Sequence, residues 1–395
     1  MINENHILEN LKEFSFPRLS GTSSERKSFV LAKKKIESLN LIPTVQEFSF
    51  SIFYSRFYPK ISLGLLFWLH FILFLNIQII FTYTNILLVV FLLTILIIIT
   101  RKPEEIKIGK KLHSQNIFVK IPPNTEQKTI KNEEKNSRLY WNKDILLFSH
   151  LDSKGQSFSV KLRILLYYLW IFSFIIGLLI NITNSYYIHH SIIFLQIFGI
   201  LVLIINGLST IFININRTNN NSKGAIDNAS GISIVMELLN FYSSSKNRLK
   251  NINLWFVFTG AEESGTMGIR NFYKKIKHFD RNRTFIINFD SIARKVILYN
   301  HGLINNKNFK SNNFILENKD IMNLEKAKRI YIGTYSDGLF LLSKKFKGLG
   351  NGDKTSYNSI HSIYDDIDKI DPLVIKKLCQ FYTILLDEID SSIKY

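Results

Sequence analysis

Gly224-Ala225-Ile226-Asp227-Asn228-Ala229-Ser230-Gly231 sets one carboxylate in a turn of small residues, and the apolar stretch 232–239 that follows reads as a helix. Small residues let the backbone approach closely there, so Asp227 lies near a helix start with room around its carboxylate. Upstream, His150-Leu151-Asp152-Ser153 closes the apolar run 145–148. Downstream, Gly260-Ala261-Glu262-Glu263-Ser264-Gly265 follows the run 254–258, and Asn288-Phe289-Asp290 ends the run 285–289. His361 comes last, just ahead of an acidic stretch. Short apolar runs of this kind read as buried strands. Polar groups at the carboxyl ends of such strands stand where open α/β sheets place their sites.

Together the segments supply His150, Asp227, one of Glu262 and Glu263, Asp290 and His361 as donors of the nitrogen and oxygen type that zinc takes. Two metals roughly 3.5–4 Å apart need a bridging carboxylate, and Asp227 suits that place. Adjacent residues leaving a strand point in different directions. One of Glu262 and Glu263 can therefore bind metal while the other faces an attacking water.

At this point the chain resembles the co-catalytic two-zinc aminopeptidases, a group that includes aminopeptidase Y, the bacterial leucyl aminopeptidases and glutamate carboxypeptidase. The matching segments are HLDS, GAIDNASG, GAEESG, NFD and HSIYDDIDKID. FPRLSGTSSERK near the start and SQNIFVKIPP further on also look like the family's opening region. The resemblance covers roughly 1–55, 105–155 and 220–395. It implies one metal held by His150, Asp227 and Asp290, and a second held by Asp227, Glu263 and His361. It implies Glu262 as the general base that takes the proton of a metal-activated water and passes it to the leaving amine. Asp152 would accept a hydrogen bond from His150 and fix its tautomer. Some members carry a Tyr just before the last His, which steadies the oxyanion; here that residue is Ile360, with Tyr357 and Tyr364 as the nearby alternatives. Ser336-Asp337-Gly338 looks like a substrate-side loop of the family, with no role assigned.

A second feature is foreign to that group. Between Lys60 and Arg101 lie 40 residues with no Asp, Glu, Lys or Arg, and between Arg163 and Arg217 lie 53 more. A spanning helix needs about 20 apolar residues, so each stretch has room for two. Helices are expected at about 61–79, 82–100, 163–181 and 191–213, with turns at 76–85 and 181–190. A hairpin starts and ends on one side, so all the catalytic segments would share one face of a lipid bilayer, with the active site close above it. Arg56, Lys60, Arg101, Lys102, Lys154, Lys161, Arg163, Arg217 and Lys223 flank the hairpins, whereas the turns hold no Lys or Arg. The positive-inside rule then predicts a cytoplasmic catalytic domain. The start shows no basic region followed by an apolar core, so no signal peptide is expected.

The expected architecture is α/β: a mixed sheet sandwiched by helices, with two inserted transmembrane hairpins. Segments 1–60, 101–162 and 217–395 would form one zinc-peptidase domain, and 61–100 and 163–216 the two hairpins. Helices are expected at about 5–14, 24–39 and 371–390, and strands at about 43–53, 115–121 and 145–150. The 395 residues carry 50 Lys and Arg against 31 Asp and Glu, a net charge of +19. No recognition motif for nucleic acid accompanies that charge; anionic lipid or a biased Lys/Asn/Ile composition explains it equally well. Cys379 is the only cysteine, so no intrachain disulfide is possible. Segments 126–138, 219–221 and 305–313 read as loops. Asp365, Asp366, Asp368 and Asp371 read as a solvated helix start with no metal.

The expected function is a membrane-bound zinc exopeptidase acting on a peptide substrate, most simply an aminopeptidase. The alternatives are a glutaminyl cyclase, which uses one zinc on a similar fold, and a non-catalytic receptor or scaffold, whose relatives lose ligands. None of the five ligands is missing here.

Overall fold

The computed structural model describes residues 1–75, 77–124, 143–186, 193–304, 310–326 and 336–393. The predicted loop 126–138, residues 187–190 of the second predicted turn and residues 305–309 of the predicted loop 305–313 lie outside them. The described chain divides into two compact units: Met1–Ser49, His113–Gly155 and Asn219–Tyr395 form the first, and Phe50–Leu112 and Gln156–Thr218 the second.

The strands in chain order are β1 (Thr44–Ser51), β2 (Lys111–Ile121), β3 (Lys143–His150), β4 (Gly155–Gln156), β5 (Thr218–Asn219), β6 (Ile252–Thr259), β7 (Thr284–Phe289), β8 (Val296–His301), β9 (Met322–Lys326) and β10 (Lys347–Gly352). The helices are α1 (Glu4–Phe14), α2 (Ser23–Ser38), α3 (Tyr58–Leu75), α4 (Ile79–Thr100), α5 (Val160–Tyr186), α6 (Ile193–Ile215), α7 (Ser230–Ser243), α8 (Met267–Ile276), α9 (Lys310–Glu317), α10 (Asp337–Ser343) and α11 (Pro372–Ser391).

The first unit is built on an eight-stranded mixed sheet in the order β1-β2-β6-β3-β7-β10-β8-β9. β3 lies at its centre, parallel to β6 on one side and to β7 on the other. β10 continues the parallel set beside β7, while β2 and β8 run antiparallel to their inner neighbours. Strands covered on both faces read as continuous apolar runs, as Ile145, Leu146, Leu147 and Phe148 do, all fully buried. One face packs Leu146, Phe148, Val257 and Ile286 against Ile269, Phe272 and Ile276 of α8 and Leu341 of α10. α7 packs against β3, β6 and β7, and against α1 and α11. Covered on all sides, α7 is buried around its circumference from Ile232 to Leu239, and only Ser233 and Glu237 of that stretch are polar. Helix starts carry their own caps: Thr22 for α2, Ser336 for α10, and Asp371 for α11 with Pro372 at the first position. The mixed sheet flanked by helices agrees with the expectation.

The register brings the parallel ends level. His150 pairs with Thr259, and Phe148 with Asn288. Three chain segments therefore leave the sheet side by side at one edge, carrying His150, Glu262 with Glu263, and Asp290.

The second unit holds four helices long and apolar enough to cross a membrane: Phe53–Leu75, Ile79–Thr100, Val160–Thr183 and Ile193–Ile215. Large apolar side chains such as Ile80, Phe91 and Phe194 stand exposed along them. α3, of the first hairpin, packs on both α5 and α6, of the second. The interior is partly polar: Trp170 Nε1 donates to Thr210 Oγ1 at 2.9 Å, and Asn206 Nδ2 to the Trp170 carbonyl at 2.9 Å. His70 is fully buried in the same unit. Lys60 Nζ donates to the carbonyls of Asn214 and Asn216, both at 2.6 Å.

Several boundaries differ from the sequence expectation. α3 starts at Tyr58, because a proline in the first turn, Pro59, costs no helical hydrogen bond. The helices reach into the predicted turns, since α4 begins at Ile79 and α5 runs on to Tyr186. Residues 310–313, expected as part of a loop, open α9. The Ser311 N–H there donates to Glu388 Oε1 of α11 at 3.2 Å, so packing overrides an Asn-rich composition.

Candidate metal centre

Two groups of side chains converge at the carboxyl edge of the parallel strands. His150, Asp227 and Asp290 form one, and Asp227, Glu263 and His361 the other. In each group the donor atoms all lie within 4.8 Å of one another, and Asp227 is common to both. Its Oδ1 lies 3.1 Å from His150 Nε2, and its Oδ2 lies 3.1 Å from His361 Nε2. Asp290 Oδ1 lies 3.8 Å from His150 Nε2, and Glu263 Oε1 lies 2.9 Å from His361 Nε2. All five sequence-predicted ligands are thus brought together.

Backbone geometry serves this convergence. Gly224 has φ 61°, a left-handed conformation, and a Cβ there would meet Ser153 Cβ, the Asp227 carbonyl and Arg18 Nη2. Ala261 (φ 50°), Ser291 (φ 56°) and His361 (φ 60°) adopt left-handed backbone without being glycine. Ser291 adjoins Asp290, Ala261 precedes the Glu262–Glu263 pair and His361 is itself a group member; such strain concentrates at functional sites. The Asp227–Asn228 peptide is cis.

Two buried oxygens test whether metal fits. Asp227 Oδ1 and Glu263 Oε1 are sealed from solvent and make no hydrogen bond, although imidazole nitrogens stand 3.1 and 2.9 Å away. Each is a buried acceptor without a donor, beside an imidazole nitrogen and further carboxylate oxygens within 4.8 Å. Carboxylate and imidazole donors arranged in that way fit zinc.

The electrostatics agree. Burial would lower the His150 imidazole, but Asp152, Asp227 and Asp290 outweigh it and hold it well above its usual range. Burial also opposes charge on His361, and Glu263 and Asp227 overcome it. Asp227 is held well below the carboxylate range: burial would raise it, and His150 and His361 more than reverse that. Glu263 likewise sits at about 2, with His361 and Lys154 outweighing burial. Protons on the two imidazoles thus balance the carboxylates, and a divalent cation would displace them. Glu262 behaves differently. Burial pushes its carboxyl well above the usual range, with Glu263, Asp337 and Asp290 adding to the push and His150 opposing it.

Asp152 lies beneath both groups, fully buried. Its Oδ1 accepts the Glu262 N–H at 3.0 Å, and its Oδ2 accepts the Glu263 N–H at 3.0 Å and the Ser20 hydroxyl at 2.6 Å. The nearest acceptor for His150 Nδ1 is the Asp152 carbonyl at 3.0 Å, with the carboxylate Oδ1 at 3.5 Å. A proton held on Nδ1 leaves Nε2 facing Asp227 and Asp290.

Four supporting residues escaped the sequence reading. Arg18, fully buried, donates to the carbonyls of Leu151 (2.8 Å), Lys223 (2.8 Å) and Gly224 (3.0 Å), joining the His150 and Asp227 loops. Glu25 accepts the Ala261 N–H at 2.8 Å and the Ser114 hydroxyl at 2.7 Å. Lys154 Nζ lies 2.6 Å from Glu263 Oε2. Asp365 corrects the expectation of a wholly solvated acidic run. It is fully buried, and its Oδ1 accepts the Ile226 N–H at 2.6 Å. Asp366 and Asp371 do cap helical turns, as expected. The signal for Arg18 and Glu25 was present in FPRLSGTSSERK, a segment singled out without a role for either residue. Asp337 is buried, accepting the Thr259 hydroxyl at 2.5 Å through Oδ2. Ile360 is buried, Tyr364 is 65% exposed and Tyr357 is half-buried.

Residues 209–383 match the family model for Peptidase family M28. The match takes in Asp227, Glu262, Glu263, Asp290 and His361, and ends short of His150 and Asp152. No curated protein matches the chain. Among solved structures, an aminopeptidase from Aneurinibacillus sp. strain AM-1 is 14% identical with a TM-score of 0.54, covering 98% of this chain and 93% of that one. A zinc aminopeptidase from Bacillus subtilis is 12% identical with a TM-score of 0.52, over 98% and 95% of the two chains. A glutaminyl cyclase from Fimbriiglobus ruber is 12% identical with a TM-score of 0.51, over 100% and 96%. At these identities the likeness shows the fold, which is that of the zinc aminopeptidases. The family match and the fold together support a metallopeptidase hydrolase.

Proposed function

We propose that the chain is a membrane-bound, zinc-dependent exopeptidase, acting as an aminopeptidase on peptide substrates. The observation that carries this reading is the sharing of Asp227 between two donor groups, each completed by one imidazole and one further carboxylate. His150, Asp227 and Asp290 would hold one zinc, and Asp227, Glu263 and His361 the second. Bound there, the zinc pair would supply Lewis-acid polarisation of the scissile carbonyl and of the attacking water. Glu262, adjacent to the ligand Glu263 and belonging to neither donor group, takes the proton from that water and delivers it to the leaving amine. Asp152 orients His150 and fixes the turn that carries Glu262 and Glu263.

A glutaminyl cyclase shares the fold, but five complete ligands favour the two-metal reaction. The test is hydrolysis of aminoacyl anilides by detergent-purified protein, beside the same substrates with acetylated amines. The aminopeptidase reading expects turnover of the free-amine series alone. Turnover of the blocked series, or cyclisation of N-terminal glutamine without hydrolysis, would reject it.

Anchoring in a bilayer rests on the four long apolar helices. The basic flanks support a cytoplasmic site, and a protease-protection map placing residues 219–393 outside the cell would reject that orientation.

A further inference from the structure

We propose that Lys154 is a positioning residue that makes the two metal positions unequal, weakening the Asp227–Glu263–His361 position by holding one oxygen of Glu263. This rests on the two-zinc reading above. Lys154 is 15% exposed, and its Nζ lies 2.6 Å from Glu263 Oε2. The other oxygen, Oε1, is turned to His361 at 2.9 Å and makes no hydrogen bond. The two oxygens of Glu263 are thus divided between a lysine and the metal position. Glu263 can offer one oxygen only, and that oxygen shares its charge with an ammonium.

The opposite arrangement serves the other position. His150 Nδ1 faces the Asp152 carbonyl at 3.0 Å and the Asp152 carboxylate at 3.5 Å, contacts that raise the basicity of Nε2. Asp290 Oδ1 accepts from a neutral donor, the Ser291 hydroxyl at 2.9 Å, lies 3.8 Å from His150 Nε2, and has no lysine against it among the described residues. His150, Asp152 and Lys154 lie on one short segment leaving β3. That segment lends electron density to one metal position and withdraws it from the other. An outer group that adds basicity typically strengthens metal affinity about 10- to 100-fold. A cation bound to a ligand carboxylate acts in the reverse sense, and it also repels a divalent ion directly. Burial of the pair keeps that repulsion from being screened by salt.

The test is zinc titration of the chelator-stripped, full-length protein against a chromophoric competitor, for wild type, Lys154→Met and Lys154→Arg. Wild type should take up two zinc ions in two resolved steps. Lys154→Met should tighten the second step at least about tenfold and leave the first unchanged, because the repelling charge is gone and both Glu263 oxygens are free. Lys154→Arg keeps the charge and the contact, and should titrate as wild type does. An unchanged or weakened second step in Lys154→Met, or an arginine variant behaving like the methionine one, would overturn the proposal. Uptake of fewer than two zinc ions by wild type would instead reject the two-metal reading beneath it.

Discussion

Oδ1 of the Asp152 carboxylate accepts the main-chain N–H of Glu262 at 3.0 Å, two residues along the chain from the imidazole of His150. The same carboxylate holds the Glu263 N–H, so one buried group locks a turn that supplies both a ligand and a base. Asp152→Asn would set an amide N–H₂ against one of these donors. Zinc affinity should fall about 10- to 100-fold, as is usual when an outer partner is lost. Competition with a chelator checks this, and an unchanged affinity would count against the locking role.

Glu262→Gln keeps the shape of the side chain and removes its capacity to take a proton. Hydrolysis should fall about 10²- to 10⁴-fold, the usual contribution of a positioned acid–base group. Zinc content should stay at the wild-type value, because Glu262 belongs to neither donor group. Retained turnover would reject Glu262 as the base.

Stripped of metal, the protein should lose stability as pH rises from about 4 to about 8. Burial raises Asp337 and Asp365 to about 7 each, and Glu25 to about 8. Carboxyls whose folded-state pKa is raised contribute stability below the unfolded value, and that stability is lost as pH climbs through the folded value. His150 and His361, also raised, act in the same direction above their usual range. Thermal melts in chelator across this window check the slope. Asp337→Asn should flatten it, because the Thr259 hydroxyl can still donate to the amide oxygen while no charge develops. A slope equal to wild type would contradict the assignment. Zinc should restore stability at the alkaline end by displacing the imidazole protons.

Gly224→Ala should destabilise the first unit by at least about 2 kcal/mol, from left-handed backbone strain and displacement of neighbouring atoms. The new methyl would meet Ser153 Cβ and the Asp227 carbonyl, so zinc affinity should fall with stability. A melt within a degree of wild type would show that the turn relaxes freely.

The sheet core and the donor set were legible because each signal was local. His150 and Asp290 close or follow apolar runs, and such runs pair as parallel strands that deliver their ends to one edge. Asp227 sits in a Gly- and Ser-flanked segment just ahead of an apolar helical stretch. The supporting residues were illegible because their partners are remote in sequence. Asp365 stands in an acidic run in which Asp366 and Asp371 cap helical turns, and nothing in the spacing shows that it turns inward to Ile226. Lys154 read as one of many basic flanks, and only the fold carries it to Glu263, 109 residues on. Residues 310–313 look like a polar loop until the contact between Ser311 and Glu388 is known.

The central claim is that Asp227 joins two metal positions. Zinc per chain should be counted on detergent-purified protein, wild type beside Asp227→Ala, with hydrolysis of an aminoacyl anilide assayed on the same samples. Two zinc ions with activity in wild type, and loss of both metal and activity in the variant, are the expected result. One zinc in wild type, or full metal content in Asp227→Ala, would contradict a shared carboxylate.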